Sequence, residues 1–227
     1  MKIDNSGKSK HNFNVLYIIS GILIVAYLIK TIDRSKDWKD NMSLYESGVI
    51  DSPNSSRTHT ALANEYSTLA QSLSDANRKA ELFKKAETEF ETGLNIYPKN
   101  PESWYNLGVL YLATGNGTEA ENANKKVIMY NPLFVKAYNN IGVVQGQRGE
   151  FRTAMENFKK AADLDSNYLD AFSNTAAAYF NLKEYKNAEP YYKRAHELNP
   201  QSKGINDQML ENERRLGQDT SSIKKTP

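Results

Sequence analysis

The stretch "WYNLGVLY", residues 104–111, decides how this chain is built. Trp104, Leu107, Leu110 and Tyr111 recur at spacings of three and four, the period of an amphipathic helix. Gly108 stands in its middle, where glycine costs roughly 1 kcal/mol against alanine, and Asn106 adds a polar group beside it. Something outside the helix has to explain both residues.

The explanation is a repeat. Shifting the stretch by 34 residues brings up "AYNNIGVVQGQRGEF" (137–151), and a second shift brings up "AFSNTAAAYFNLKEY" (171–185). Trp104, Tyr138 and Phe172 fall in one column, Leu107, Ile141 and Thr175 in another, Gly108, Gly142 and Ala176 in a third. The second half of each unit aligns Ala120, Ala154 and Ala188, then Val127, Ala161 and Ala195, and closes on Pro132, Ser166 and Pro200. A small residue in the third column lets one helix of a pair approach the other, which offsets the loss of helix propensity. Gly115 and Gly149 fall between the two helices, where a left-handed C-cap suits glycine, and Lys183 holds that place in the last unit.

These columns, in this order and at this period, resemble the tetratricopeptide repeat over roughly residues 56–200. The resemblance implies an all-α solenoid: antiparallel helical hairpins stacked into a right-handed superhelix with a concave groove. The regular units are 101–134, 135–168 and 169–202. Upstream, His59 and Trp104 lie 45 residues apart instead of 34, and both apolar stripes run long. Residues 56–100 are therefore read as a divergent unit with an extended hairpin, turning at "SDAN" (74–77). Counted back from Pro53, Trp38, Tyr45 and Gly48 match Phe151, Phe158 and Ala161, so 34–53 reads as the second helix of a half-repeat. Ile205, Met209 and Leu216 make a capping helix of 203–217, leaving 218–227 as an expected disordered tail.

Residues 13–32, after a short tail of residues 1–12, read as a transmembrane helix. The run "FNVLYIISGILIVAYLI" (13–29) carries no charge, and Lys30 can snorkel to the interface. A cleaved signal peptide is the rival reading, but Lys30 stands where a small-residue cleavage site is expected. The positive-inside count is nearly balanced, with Lys2, Lys8 and Lys10 on one side and Lys30, Arg34, Lys36 and Lys39 on the other. The short basic terminus is placed in the cytoplasm and the repeats on the extracytoplasmic side.

Chemistry-bearing motifs are absent from the sequence. With no cysteine there is no disulfide and no thiolate metal site or nucleophile. His11, His59 and His196 are scattered, "HELNP" has no second histidine four positions on, and there is no phosphate loop or nucleophile elbow. No catalytic residue, cofactor or metal is assigned, and a net charge of +2 gives no footprint for nucleic acid.

The recurring asparagines are the candidate site. Asn106, Asn140 and Asn174 occupy a column that, by the family resemblance, faces the groove. Each amide has donors and an acceptor, so a ladder of them can hold a peptide backbone without reading side chains. The pattern is similar to the peptide-binding superhelix of O-GlcNAc transferase. The bland alternative is that these amides bond between neighbouring repeats. Flanking groove positions are Tyr105, Val109 and Leu112, then Lys136, Asn139 and Val143, then Asp170, Ser173 and Ala177. The two-carboxylate clamp of some tetratricopeptide co-chaperones fits poorly. Asn64, Asn106 and Lys136 match it, but Thr60 and Asn140 stand where two of its cations belong.

The expected function is a single-pass membrane scaffold that binds a protein or an extended peptide. The organisation of the amino end also resembles the carboxyl-terminal part of multi-spanning mannosyltransferases that carry such repeats. That resemblance implies an alternative, an accessory substrate-recruiting arm of a membrane glycosyl-transfer system. Neither reading fixes the partner or the oligomeric state.

Overall fold

The computed structural model describes residues 6–35 and 40–223. Eleven helices and no strands are found among them: α1 (Ser6–Ser35), α2 (Asn41–Asp51), α3 (Ser56–Ser72), α4 (Ala76–Ile96), α5 (Pro101–Ala113), α6 (Gly117–Tyr130), α7 (Val135–Gln147), α8 (Phe151–Leu164), α9 (Leu169–Asn181), α10 (Tyr185–Leu198) and α11 (Lys203–Ile223). From α3 onward they pair as antiparallel hairpins, each stacked on the next, with α2 against α3 and α11 against α10. The first helices of successive hairpins (α3, α5, α7, α9, then α11) touch one another, whereas the second helices do not. The first-helix row therefore forms the inner, concave side of the curve.

The small columns hold the hairpins together. A Cβ on Gly142 would lie 2.6 Å from Phe158 Cε1, and one on Gly108 2.6 Å from Asn124 Nδ2. Real Cβ contacts are not that short, so the glycines permit an approach that any side chain would block. Ala63, Ala120, Ala154, Ala176 and Ala188 are all fully buried. Turns follow the same economy. Gly115 and Gly149 have φ of 79° and 77°, and Lys183 adopts 61° in the last unit. Each is followed by a reverse bond that closes the helix end: Asn116 N–H to Tyr111 O, Glu150 N–H to Gln145 O and Glu184 N–H to Tyr179 O, at 2.8–2.9 Å.

Between units, a side chain in the aromatic column donates to the carbonyl six residues earlier. Trp104 Nε1 reaches Pro98 O (2.7 Å), Tyr138 Oη reaches Pro132 O (3.1 Å) and Asn206 Nδ2 reaches Pro200 O (3.1 Å). His59 Nε2 is likewise 2.9 Å from Pro53 O, while its Nδ1 is 2.6 Å from Glu89. Phe172 has nothing to donate. There Arg194 supplies the bond to Ser166 O at 2.9 Å and lies over the Phe172 ring. An otherwise orphaned turn carbonyl is thus satisfied at every junction.

The ends of the chain differ from expectation. The transmembrane helix expected over 13–32 is not found, because among the described residues no helix is long and apolar enough to cross a membrane. Phe13, Asn14, Leu16 and Ile32, which lengthened the expected span, lie outside the described side chains, as does Trp38 of the half-repeat. Residues 218–223, expected to be disordered, continue α11. Asn212, 1% exposed, ties that helix to α10 through Tyr185 O at 3.0 Å, and Glu211 pairs with Arg214 and Arg215 along its outer face.

Candidate functional site

The asparagine column lies on the first-helix row, and the structure shows how its amides are used. Asn106 Nδ2 donates to Asn64 Oδ1 at 3.0 Å, and Asn174 Nδ2 donates to Asn139 Oδ1 at 2.9 Å. Both bonds cross from one hairpin to the next. Asn139 is 5% exposed, so it serves as an internal acceptor and not as groove surface. Asn140 Nδ2 is shielded from solvent and faces the Tyr105 phenol oxygen. Burial raises the Tyr105 pKa, and the Asn140 amide pulls it part of the way back. Ser173 Oγ and Ser67 Oγ, also on first helices, are buried without a partner. Buried polar atoms are paired in the great majority of cases, so these two unpartnered hydroxyls are exceptions on the groove row.

The remaining candidates are spread along the same row. Tyr105, Val109, Leu112, Val143 and Ala177 are half-buried, whereas Lys136 and Asp170 are exposed. Tyr105 stacks against Phe134 with ring centroids 5.0 Å apart. The Tyr168 phenol is pushed up to about 12, first by burial and then by the charges of Asp170, Tyr105 and Asp165. At the α3–α5 end, Asn64, Ser67, Thr68, Gln71, Phe90, Asn106, Val109 and Leu110 enclose a depression of about 340 Å³. Its polar groups are amides and hydroxyls, with no formal charge. Thr60 is engaged by Ser103 Oγ at 2.8 Å and Ser56 O at 2.9 Å, which leaves the clamp pattern without a cation at either departing position. Sequence reasoning missed Ser67, Thr68 and Gln71. Gln71 lies beyond the 13-residue length of α5, in the part of α3 that the extended hairpin adds, while Ser67 and Thr68 fall at its last ordinary turn. Among the described residues no group of His, Asp and Glu is placed to hold a metal.

Three segments match models of the tetratricopeptide repeat, at 89–122, 135–168 and 169–202. The chain therefore carries tetratricopeptide repeats, arranged as an all-α solenoid. Solved structures similar to it include MamA, 20% identical with a TM-score of 0.61, covering 73% of this chain and 91% of that one. YrrB, described as a repeat protein of this kind with an unusual peptide-binding site, is 17% identical with a TM-score of 0.60, covering 83% and 88%. The first repeat domain of Spaghetti (RPAP3), solved with an HSP90 peptide, is 22% identical with a TM-score of 0.50, covering 52% and 95%. At these identities the likeness establishes the fold. No curated protein matches the sequence. The comparisons lend the mannosyltransferase resemblance no support, since the matching regions are repeats alone.

Proposed function

We propose that the protein is a scaffold whose concave groove holds an extended peptide segment of a partner protein, mainly by its main chain. One observation carries this reading. Apart from Lys136 and Asp170, the groove row carries uncharged amides and hydroxyls, of which Ser67 Oγ and Ser173 Oγ are buried without a partner. A peptide backbone presents a donor and an acceptor at each residue and matches such groups without needing charge. One structure of this fold solved with a peptide, and another described with a peptide-binding site, support peptide binding as the use of the groove.

Membrane attachment is part of the proposal, with the repeats on the extracytoplasmic side. Its support is α1, which touches no other described element and leaves Tyr17, Ile22 and Ile29 at least 63% exposed. Apolar surface of that extent calls for a cover. Carbonate washing of membranes should leave the chain in the pellet, and release of the intact chain would remove the attachment from the proposal.

The groove is tested with a partner segment captured from solubilised membranes and synthesised as a capped peptide. Its Kd should stay nearly constant between about 50 and 500 mM salt, because uncharged contacts are little screened. Weakening of tenfold or more over that range would show charge recognition and overturn the backbone reading.

A further inference from the structure

The face of α5 opposite the asparagine row carries a second cavity. The α4–α5 junction packs more loosely than α6–α7 or α8–α9. On the outer side this leaves a cleft of about 640 Å³ among α4, α5 and α6. Its floor is apolar: Leu94, Leu107, Ala123 and the ring of Tyr111 are each at most 9% exposed. One wall is Trp104, whose indole is fixed by its bond to Pro98 O at 2.7 Å.

The rim has a sign. Glu91 and Glu119 line the cleft, and Glu87 meets the Tyr111 hydroxyl beneath them. Elsewhere on the solenoid, Glu81, Glu121, Glu184, Glu189, Glu197 and Glu211 are taken up in ion pairs, while Glu102, Glu150 and Glu156 are unpaired among the described residues but do not line this cleft. Glu87, Glu91 and Glu119 enter none among the described residues, and Lys126, the one lysine lining the cleft, bridges neither Glu91 nor Glu119. The Tyr111 phenol registers the same field: burial raises its pKa first, and the three carboxylates raise it further.

We propose that this outer cleft is a second docking site, which takes a lysine or arginine side chain from a partner protein. The aliphatic stem would lie on Leu94, Leu107 and the Trp104 ring, and the cation would reach Glu91 and Glu119. The occupant follows from charge complementarity: an acidic side chain is repelled by the rim, and an apolar one leaves the carboxylates unpaired. Because α5 separates cleft from groove, the two sites can be filled together, and the proposal stands independently of what the groove binds.

The test uses the full chain in detergent micelles with ¹⁵N-labelled tryptophan, assigning the Trp104 indole N–H against a W104F sample. N-acetyl-arginine amide should shift that resonance saturably, and its neutral isostere N-acetyl-citrulline amide should bind at least about tenfold more weakly. E91Q/E119Q, at two exposed positions, should melt like the parent and erase the difference between the two probes. Equal affinity for both probes, an undiminished preference in E91Q/E119Q, or no shift with arginine would each overturn the assignment.

Discussion

The hairpins α3–α4 and α7–α8 solve one folding problem with different chemistry. In α7–α8 the helices meet at Gly142, pressed against Phe158, and turn through a left-handed Gly149. In α3–α4 fully buried Ala63 serves at the corresponding contact, and the turn has no left-handed residue. Asp75 instead caps α4, its carboxylate accepting from Asn77 N–H at 2.9 Å and Arg78 N–H at 3.2 Å. The second helices of the regular units lack any such cap: Asn116, Glu150 and Glu184 make no capping bond. Backbone geometry closes the regular hairpins, and a side chain closes the extended one. The extra length of α3 then adds Gln71 to the depression beside Asn64.

Breaking the tight contact should have the largest effect. Gly142→Leu forces a side chain into Phe158 and should destabilise the array by about 1–3 kcal/mol, the usual range for overpacking. Leucine at exposed Glu156, one helix away, should leave the melting curve almost unchanged. Equal thermal shifts from the two changes would mean that the register is wrong.

Removing the carboxylate cap comes next. Asp75→Ala should lower stability by about 1 kcal/mol, as loss of an N-cap does, whereas Glu150→Ala at the matching place in α7–α8 should do little. A denaturant series on both variants checks the contrast, and similar losses would show that the two hairpins are closed in the same way.

The smallest expected effect is a gain. Lys183 holds a left-handed conformation at φ 61° that its side chain disfavours. Glycine there should stabilise the last hairpin by roughly 0.5 kcal/mol, the relieved strain being partly cancelled by glycine's larger unfolded-state entropy. Thermal melting of K183G would then shift upward by a small amount, and a downward shift would mean that the lysine contributes contacts of its own.

Much of this was legible in the sequence because a solenoid repeats its physics. A period of 34 was enough to place Gly108 and Gly142 at close contacts and Gly115, Gly149 and Lys183 at left-handed turns. Bonds between columns were not legible. Asn106 finds Asn64 across 42 residues, and Asn174 finds Asn139 across 35; against unit offsets of 45 and 34 the two acceptors stand in different columns, so no single spacing points to both. The donors to the turn carbonyls were missed because histidine, tryptophan, tyrosine and asparagine share only an N–H or O–H at one position. Their common signal was a proline six residues earlier, absent only where Phe172 follows Ser166. The hold of α11 on its neighbour was not legible either: Asn212 looks polar in a weak stripe, yet it is buried with its amide bonded to a backbone carbonyl of α10.

The groove's function turns on whether its amides serve a ligand beyond the bonds they make to each other. Asn106, Asn140 and Asn174 changed together to alanine, in a binding titration run beside a circular dichroism melt, decides this. The loss of the Asn106–Asn64 and Asn174–Asn139 bonds should lower the melting temperature. If the ladder holds a peptide backbone, the folded protein should also bind the captured segment about a hundredfold more weakly, from roughly 0.5–1.5 kcal/mol per amide. A lowered melting temperature with unchanged affinity in the folded protein would contradict the account and reduce the ladder to a bond between repeats.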